Sequence, residues 1–132
     1  MKEKIKSYRD LRVYNNAMEA AMKIFEVTKT FPPEEKFSLT DQMRHASRSV
    51  CSTIGEAWRK RISQLAFTAK LSDSESLACE SQVWIEFAKN CGYLDDALSD
   101  ELDSTYDRIL GQLFKMIKEA DKWIINSNRF KD

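Results

Sequence analysis

Apolar side chains recur every three or four positions from Leu98 to Trp123: Leu98, Leu102, Tyr106, Ile109, Leu113, Met116, Ala120 and Trp123. A helix places all of them on one stripe, whereas a strand would scatter them over both faces. A stripe of this kind has to be buried against other helices, because an isolated helix cannot hide it. The chain has 132 residues, which is room for a single domain over residues 1–132. Only 3 Gly and 2 Pro are present, too few to turn an all-β chain, and no window alternates apolar and polar residues long enough to suggest a strand.

Three more helices can be read from the same spacing. Helix one is expected from Asp10 to Thr30, with a seam of Leu11, Tyr14, Met18, Ala21, Phe25 and Thr28. Pro32 and Pro33 stop it, since proline lacks the amide that continues the ladder. Ser38, with Asp41 three residues on, reads as an acidic capping box opening helix two. That helix runs to about Arg59, with a core stripe of Leu39, Met43, Ala46, Val50, Ile54 and Ala57. Ser63 caps helix three, which reaches Cys91 before the stop glycine Gly92. Asp95 or Asp96 caps helix four, expected to extend to about Asn126. Short loops make neighbours antiparallel, so the expected fold is all-α, an up-down-up-down four-helix bundle.

Several function classes find no residues here. The longest charge-free run, Ile62 to Ala69, has eight residues, far short of the roughly 20 that span a bilayer. The opening Met1–Lys6 is basic but no apolar core follows it, so a cytoplasmic protein away from membranes is expected. Cys51, Cys79 and Cys91 are an odd set without CxxC spacing, expected to be buried, reduced thiols. His45 is the sole histidine, and Gln42 stands where a Glu-x-x-His metal pair needs its carboxylate. Cys51 lies six residues from His45, about 120° around the helix, so the two share no face. Gly55, Gly92 and Gly111 are scattered and form no phosphate loop. No catalytic, cofactor-binding or metal-binding residues are expected, and no cofactor.

Helix three is apolar on more sides than one bundle core needs. Leu65, Ala69, Ser72, Ser76, Cys79 and Val83 form one stripe; Phe67, Leu71, Ala78, Ile85 and Ala88 form another; Leu77 and Trp84 lie on a third. Helix one shows Val13, Ala20, Ile24 and Val27 beside its main seam. A surplus of this kind points to a second chain, hence a homo-oligomer.

Charge is distributed unevenly. The total is zero, yet residues 1–70 hold fourteen Lys and Arg against eight Asp and Glu, and residues 71–132 hold seven against thirteen. Arg44, Arg48 and Arg59 fall within about 60° of each other on helix two, opposite its core seam, and Lys60 and Arg61 follow. Arginine forks match phosphate oxygens, and Trp58 beside them is a candidate platform for a base. Asp73, Glu75 and Glu80 cluster on helix three and read as a solvated face or as ion-pair partners.

The order of motifs resembles a known family. Tyr8-Arg9-Asp10-Leu11-Arg12-Val13-Tyr14 resembles Y-x-D-L-x-V-W. Phe31-Pro32, Glu35, Phe37 and Leu39-Thr40-Asp41-Gln42-Met43-Arg44 resemble F-P-x-x-E-x-F-x-L-T-x-Q-M-R-R-A. Ser49 with Ile54-Gly55-Glu56-Ala57 resembles S-x-x-x-N-I-A-E-G, and Gly92-Tyr93-Leu94 resembles a G-Y-I before the last helix. This pattern is similar to that of four-helix-bundle proteins encoded in intervening sequences of bacterial 23S ribosomal RNA genes. The accessory variability determinant of diversity-generating retroelements is a relative of these. The resemblance implies an antiparallel bundle assembling into a pentameric ring, without enzymatic activity. In the retroelement relatives it implies partnership with a reverse transcriptase and nucleic acid. Gln42, Arg44, Ser49 and Glu56 match its polar positions, while His45 and Thr53 stand where it has Arg and Asn.

Two readings therefore stand. One is a non-enzymatic homo-oligomer, a pentamer by resemblance, contacting RNA or a reverse transcriptase through Arg44, Arg48, Trp58, Arg59, Lys60 and Arg61. The other is a protein–protein scaffold with no nucleic-acid role, whose basic and acidic halves meet between subunits.

Overall fold

A computed structural model describes residues 4–125 of the chain. Its helices are α1 (Arg12–Thr28), α2 (Leu39–Arg59), α3 (Gln64–Asn90) and α4 (Asp96–Lys118), and the described residues contain no strand. α2 packs on α3, α3 on α4, and α1 closes the square between α2 and α4. This is the expected antiparallel four-helix bundle.

The ends of the helices follow from local chemistry. Asp10 folds its carboxylate back to accept the backbone N–H groups of Lys6 (2.8 Å) and Ser7 (3.2 Å). That closes Tyr8–Asp10 as a 3-10 turn, and Leu11 is extended, so α1 starts at Arg12 rather than Asp10. Ser38 stands at the N-cap of α2, but no side chain of a Ser38–Asp41 box caps the helix. The serine hydroxyl donates instead to Glu35 Oε1, which also accepts the Leu39 N–H at 3.4 Å. A glutamate from the preceding 3-10 turn Pro33–Glu35 thus takes over the capping role. Ser63 and Asp95 cap α3 and α4 as expected, accepting from Ala66 and Leu98. Gly92 adopts φ 81°, the left-handed stop that glycine takes without strain. α4 ends at Lys118, earlier than its periodicity suggested, because the chain tightens into a 3-10 turn over Ala120–Lys122. Asn126 lies outside the described residues. Ile125 donates its N–H to the Arg61 carbonyl (2.8 Å), tying the end of the described chain to the α2–α3 corner.

The core holds the α2 stripe as read, every seam residue of α4 from Leu102 to Met116, and Ala120 of the turn that follows. On α1 the buried face is instead Val13, Ala17, Ala20, Ala21, Ile24 and Thr28. Its alanines let the helix sit close to its neighbours, and the bulky Tyr14, Met18 and Phe25 are rotated towards the outer edge. On α3 the core takes Phe67, Leu71, Ala78, Ile85 and Ala88, with Ser74 and Ser81 between them. Ser74 donates to the Val50 carbonyl (3.1 Å), satisfying its hydroxyl across the α2–α3 contact. The cysteine expectation holds only for Cys51; Cys79 and Cys91 are exposed.

Candidate functional site

The basic strip on α2 divides into cations the fold has already used and cations left in solvent. Arg44 is half-buried: its Nε donates to Thr28 Oγ1 (2.8 Å), and its guanidinium lies 4.8 Å over the Phe25 ring. It sits against the C-terminal turn of α1, where the helix dipole favours a cation. Trp58 is 7% exposed, its indole packed edge-on against Trp123 and covered by the Arg61 guanidinium 3.4 Å above it. Neither indole face is open to a base, which corrects the expectation of a stacking platform. Arg61 also donates to the Trp58 carbonyl at 2.8 Å. Arg48, Arg59 and Lys60 remain exposed, and no carboxylate among the described residues pairs with them.

The residues matched by resemblance serve packing in part. Glu56 pairs with Lys70 of α3 at 3.0 Å, and that contact, followed by Asp73, raises the lysine pKa. Ser49 is half-buried, its carbonyl accepting from Thr53 and Ser52, while Gln42 is exposed.

A groove of about 520 Å³ runs between α1 and α2 beside the strip. Tyr8, Tyr14, Met18 and Gly55 line it, with Arg48 and Arg59 on its α2 side. The two tyrosine rings meet edge-to-face at 4.9 Å. Farther along α1, Phe25 lies beneath both Arg44 and Arg48. Sequence periodicity places Tyr14, Met18 and Phe25 in the core seam; Tyr14 and Met18 line this outer groove instead, and Phe25 lies beyond it under the arginines. The signal that could have separated them was the alanine face beside them, since small residues mark where helices approach closely.

The opposite corner of the bundle carries the other charge. Leu65, Ala69, Ser72, Ser76, Cys79 and Val83 are all exposed and face away from the core along α3. Leu65 is 81% exposed and Val83 42%; Ile62 and Phe87, at 63% and 52%, extend the same surface. Asp73 and Glu80 flank the stripe on the α2 side, and Glu75 and Glu86 on the α4 side. Beyond them, Asp100 and Asp103 of α4 share a shallow cleft with Cys79, Val83 and Glu86. Burial, then the neighbouring Asp107, Asp100 and Glu86 carboxylates, hold the Asp103 pKa above its ordinary value.

Among the described residues, no three His, Cys, Asp or Glu side chains are grouped to hold a metal ion. No described helix is long and apolar enough to cross a membrane.

A family model described as 23S rRNA-intervening sequence protein matches residues 9–115. A crystal structure of a protein with unknown function from the S23 ribosomal protein family of Bacteroides thetaiotaomicron VPI-5482 has a similar fold. Its TM-score is 0.73 at 24% identity, over 80% of this chain and 95% of that one. No curated protein matches the chain.

Proposed function

Since the chain belongs to the 23S rRNA-intervening sequence protein family, we propose that it acts as a non-enzymatic helical-bundle protein that assembles with copies of itself through the outer face of α3. The carrying observation is the exposure of Leu65, Val83 and Phe87 along α3, with Ile62 exposed in the turn just before it. These residues lie opposite a core that is already complete. Large apolar side chains gathered on one surface gain free energy when a partner removes them from water. The test is light scattering on the purified chain. Particles several times the 15.4 kDa chain mass are expected, with dissociation by Leu65→Glu and Val83→Glu and no loss of helical signal. Wild-type particles of 15.4 kDa alone would refute it.

A second reading, contact with RNA, is favoured by one observation: Arg48, Arg59 and Lys60 remain exposed without carboxylate partners among the described residues. Its test is salt-titrated binding to a structured RNA. Affinity that falls steeply with salt and is lost in Arg59→Ala with Lys60→Ala supports it, and no binding at low salt refutes it.

A further inference from the structure

We propose that the cleft between the start of α1 and the end of α4 binds a small aliphatic carboxylate, an anion of the fatty-acid type. The cleft has a volume of about 680 Å³, within the roughly 300–1,000 Å³ of small-molecule sites. None of its lining residues comes from α2 or α3, so it stands apart from both surfaces described above. Leu11, Val13 and Met116 line it and are buried, while Ile5 and Trp123 line it half-buried. This apolar lining is aliphatic apart from Trp123, and the pliant Met116 side chain suits a flexible acyl chain better than a flat ring.

The polar groups of the lining divide into acceptors already in use and donors to spare. Asp10 accepts the Lys6 and Ser7 N–H groups at 2.8 and 3.2 Å, which hold its carboxyl below the ordinary aspartate value. Glu119 pairs with Lys122 at 3.3 Å. Gln112 Oε1 accepts from Asn16 Nδ2 at 3.0 Å across the α1–α4 contact. That bond fixes the Gln112 side chain and leaves its own Nε2–H groups without a partner among the described residues. Arg12 and Lys115 are exposed, and no carboxylate among the described residues pairs with either.

Three donors, two of them charged, thus share one cleft with a buried apolar base. A ligand that answers both parts has an apolar body and an anionic head. The Arg12 fork matches a carboxylate through two parallel hydrogen bonds, and Lys115 adds a point charge. The lining also limits how much charge the head can carry. Beside Asp10 and Glu119 a dianion is repelled twice as strongly as a monoanion, which favours a carboxylate over a phosphate. Trp123 gives the site a reporter, since an acyl chain laid against its half-buried indole would remove water from the ring.

Titration of the full chain with decanoate, followed by tryptophan emission and by thermal melting, tests this. Decanoate is expected to shift the emission and raise the melting temperature. Decanol has the chain without the charge, and acetate the charge without the chain; each is expected to bind about tenfold more weakly or worse. Arg12→Gln with Lys115→Gln is expected to weaken decanoate about tenfold while leaving decanol binding and helical signal unchanged. Trp123→Phe is expected to keep the rise in melting temperature and lose the emission shift. Leu65→Glu with Val83→Glu is expected to leave decanoate binding intact, whereas an acyl chain collecting on the outer face of α3 would be lost with those residues. Absence of binding, equal affinity for decanoate and decanol, or full affinity in the Arg12 and Lys115 variant would overturn the proposal. So would an emission shift that survives in Trp123→Phe, or binding that disappears in the α3 variant.

Discussion

Arg44 Nε donates to Thr28 Oγ1 at 2.8 Å, clamping the last turn of α1 against the side of α2. The threonine hydroxyl in turn donates to the Ile24 and Phe25 carbonyls, so the arginine completes a chain that closes the helix end. A charged group bonded in a half-buried setting is worth more than a surface pair. Arg44→Ala is therefore expected to cost about 1–2 kcal/mol in urea unfolding. Arg44→Lys is expected to recover little, because an ammonium cannot both reach Thr28 and lie flat on Phe25. RNA affinity lost without a loss of stability would contradict the placement of this residue.

The fold was legible in the sequence because three of its determinants are local. The α4 seam, the Ser63 and Asp95 caps and the Gly92 stop each depend on a few neighbouring residues. The surfaces were harder to read. Tyr14, Met18 and Phe25 have the spacing of a seam, and only tertiary packing shows that α1 buries its alanine face instead. Trp58 beside five cations reads as a platform; Trp123, far along the chain, folds over to cover it. The α3 stripe was visible as surplus, but which of its stripes faces the core depends on where α2 and α4 sit.

Glu35 accepts from Ser38, Leu39 and Tyr93, joining the start of α2 to the α3–α4 loop. These bonds, led by that from the Ser38 hydroxyl, hold its carboxyl below the ordinary glutamate value. A depressed carboxyl contributes stability above its unfolded pKa, and that stability is lost as pH falls through the lowered folded value. The chain is expected to lose thermal stability on acidification below about pH 4.5. Glu35→Gln is expected to flatten that acid limb relative to wild type, as followed by thermal melts across the pH range.

The alkaline side has a different origin. Burial pushes the Cys51 thiol up from 9.0 to about 11. A raised thiol pKa means that the unfolded chain ionises first, so this stability is whole below pH 9 and lost as pH rises to about 11. The loss attributable to Cys51 is at most about 2–3 kcal/mol. Tyr106, also raised by burial, adds to the loss above pH 10. Cys51→Ala is expected to reduce the slope of stability between pH 9 and 11, although the variant starts lower from its lost packing. An unchanged slope would show that the thiol is not buried in solution.

Gly55 is a glycine in the interior of α2 that packing within the bundle does not require. A glycine inside a helix is less favourable than alanine by about 1 kcal/mol. At this position a Cβ finds the Tyr8 ring at 3.8 Å, so the substitution meets no clash. Gly55→Ala is therefore expected to raise the urea midpoint of the chain. Urea unfolding followed by helical signal checks this. A midpoint no higher than that of wild type would show that the Tyr8 ring lies closer to Gly55 in solution than an added methyl allows.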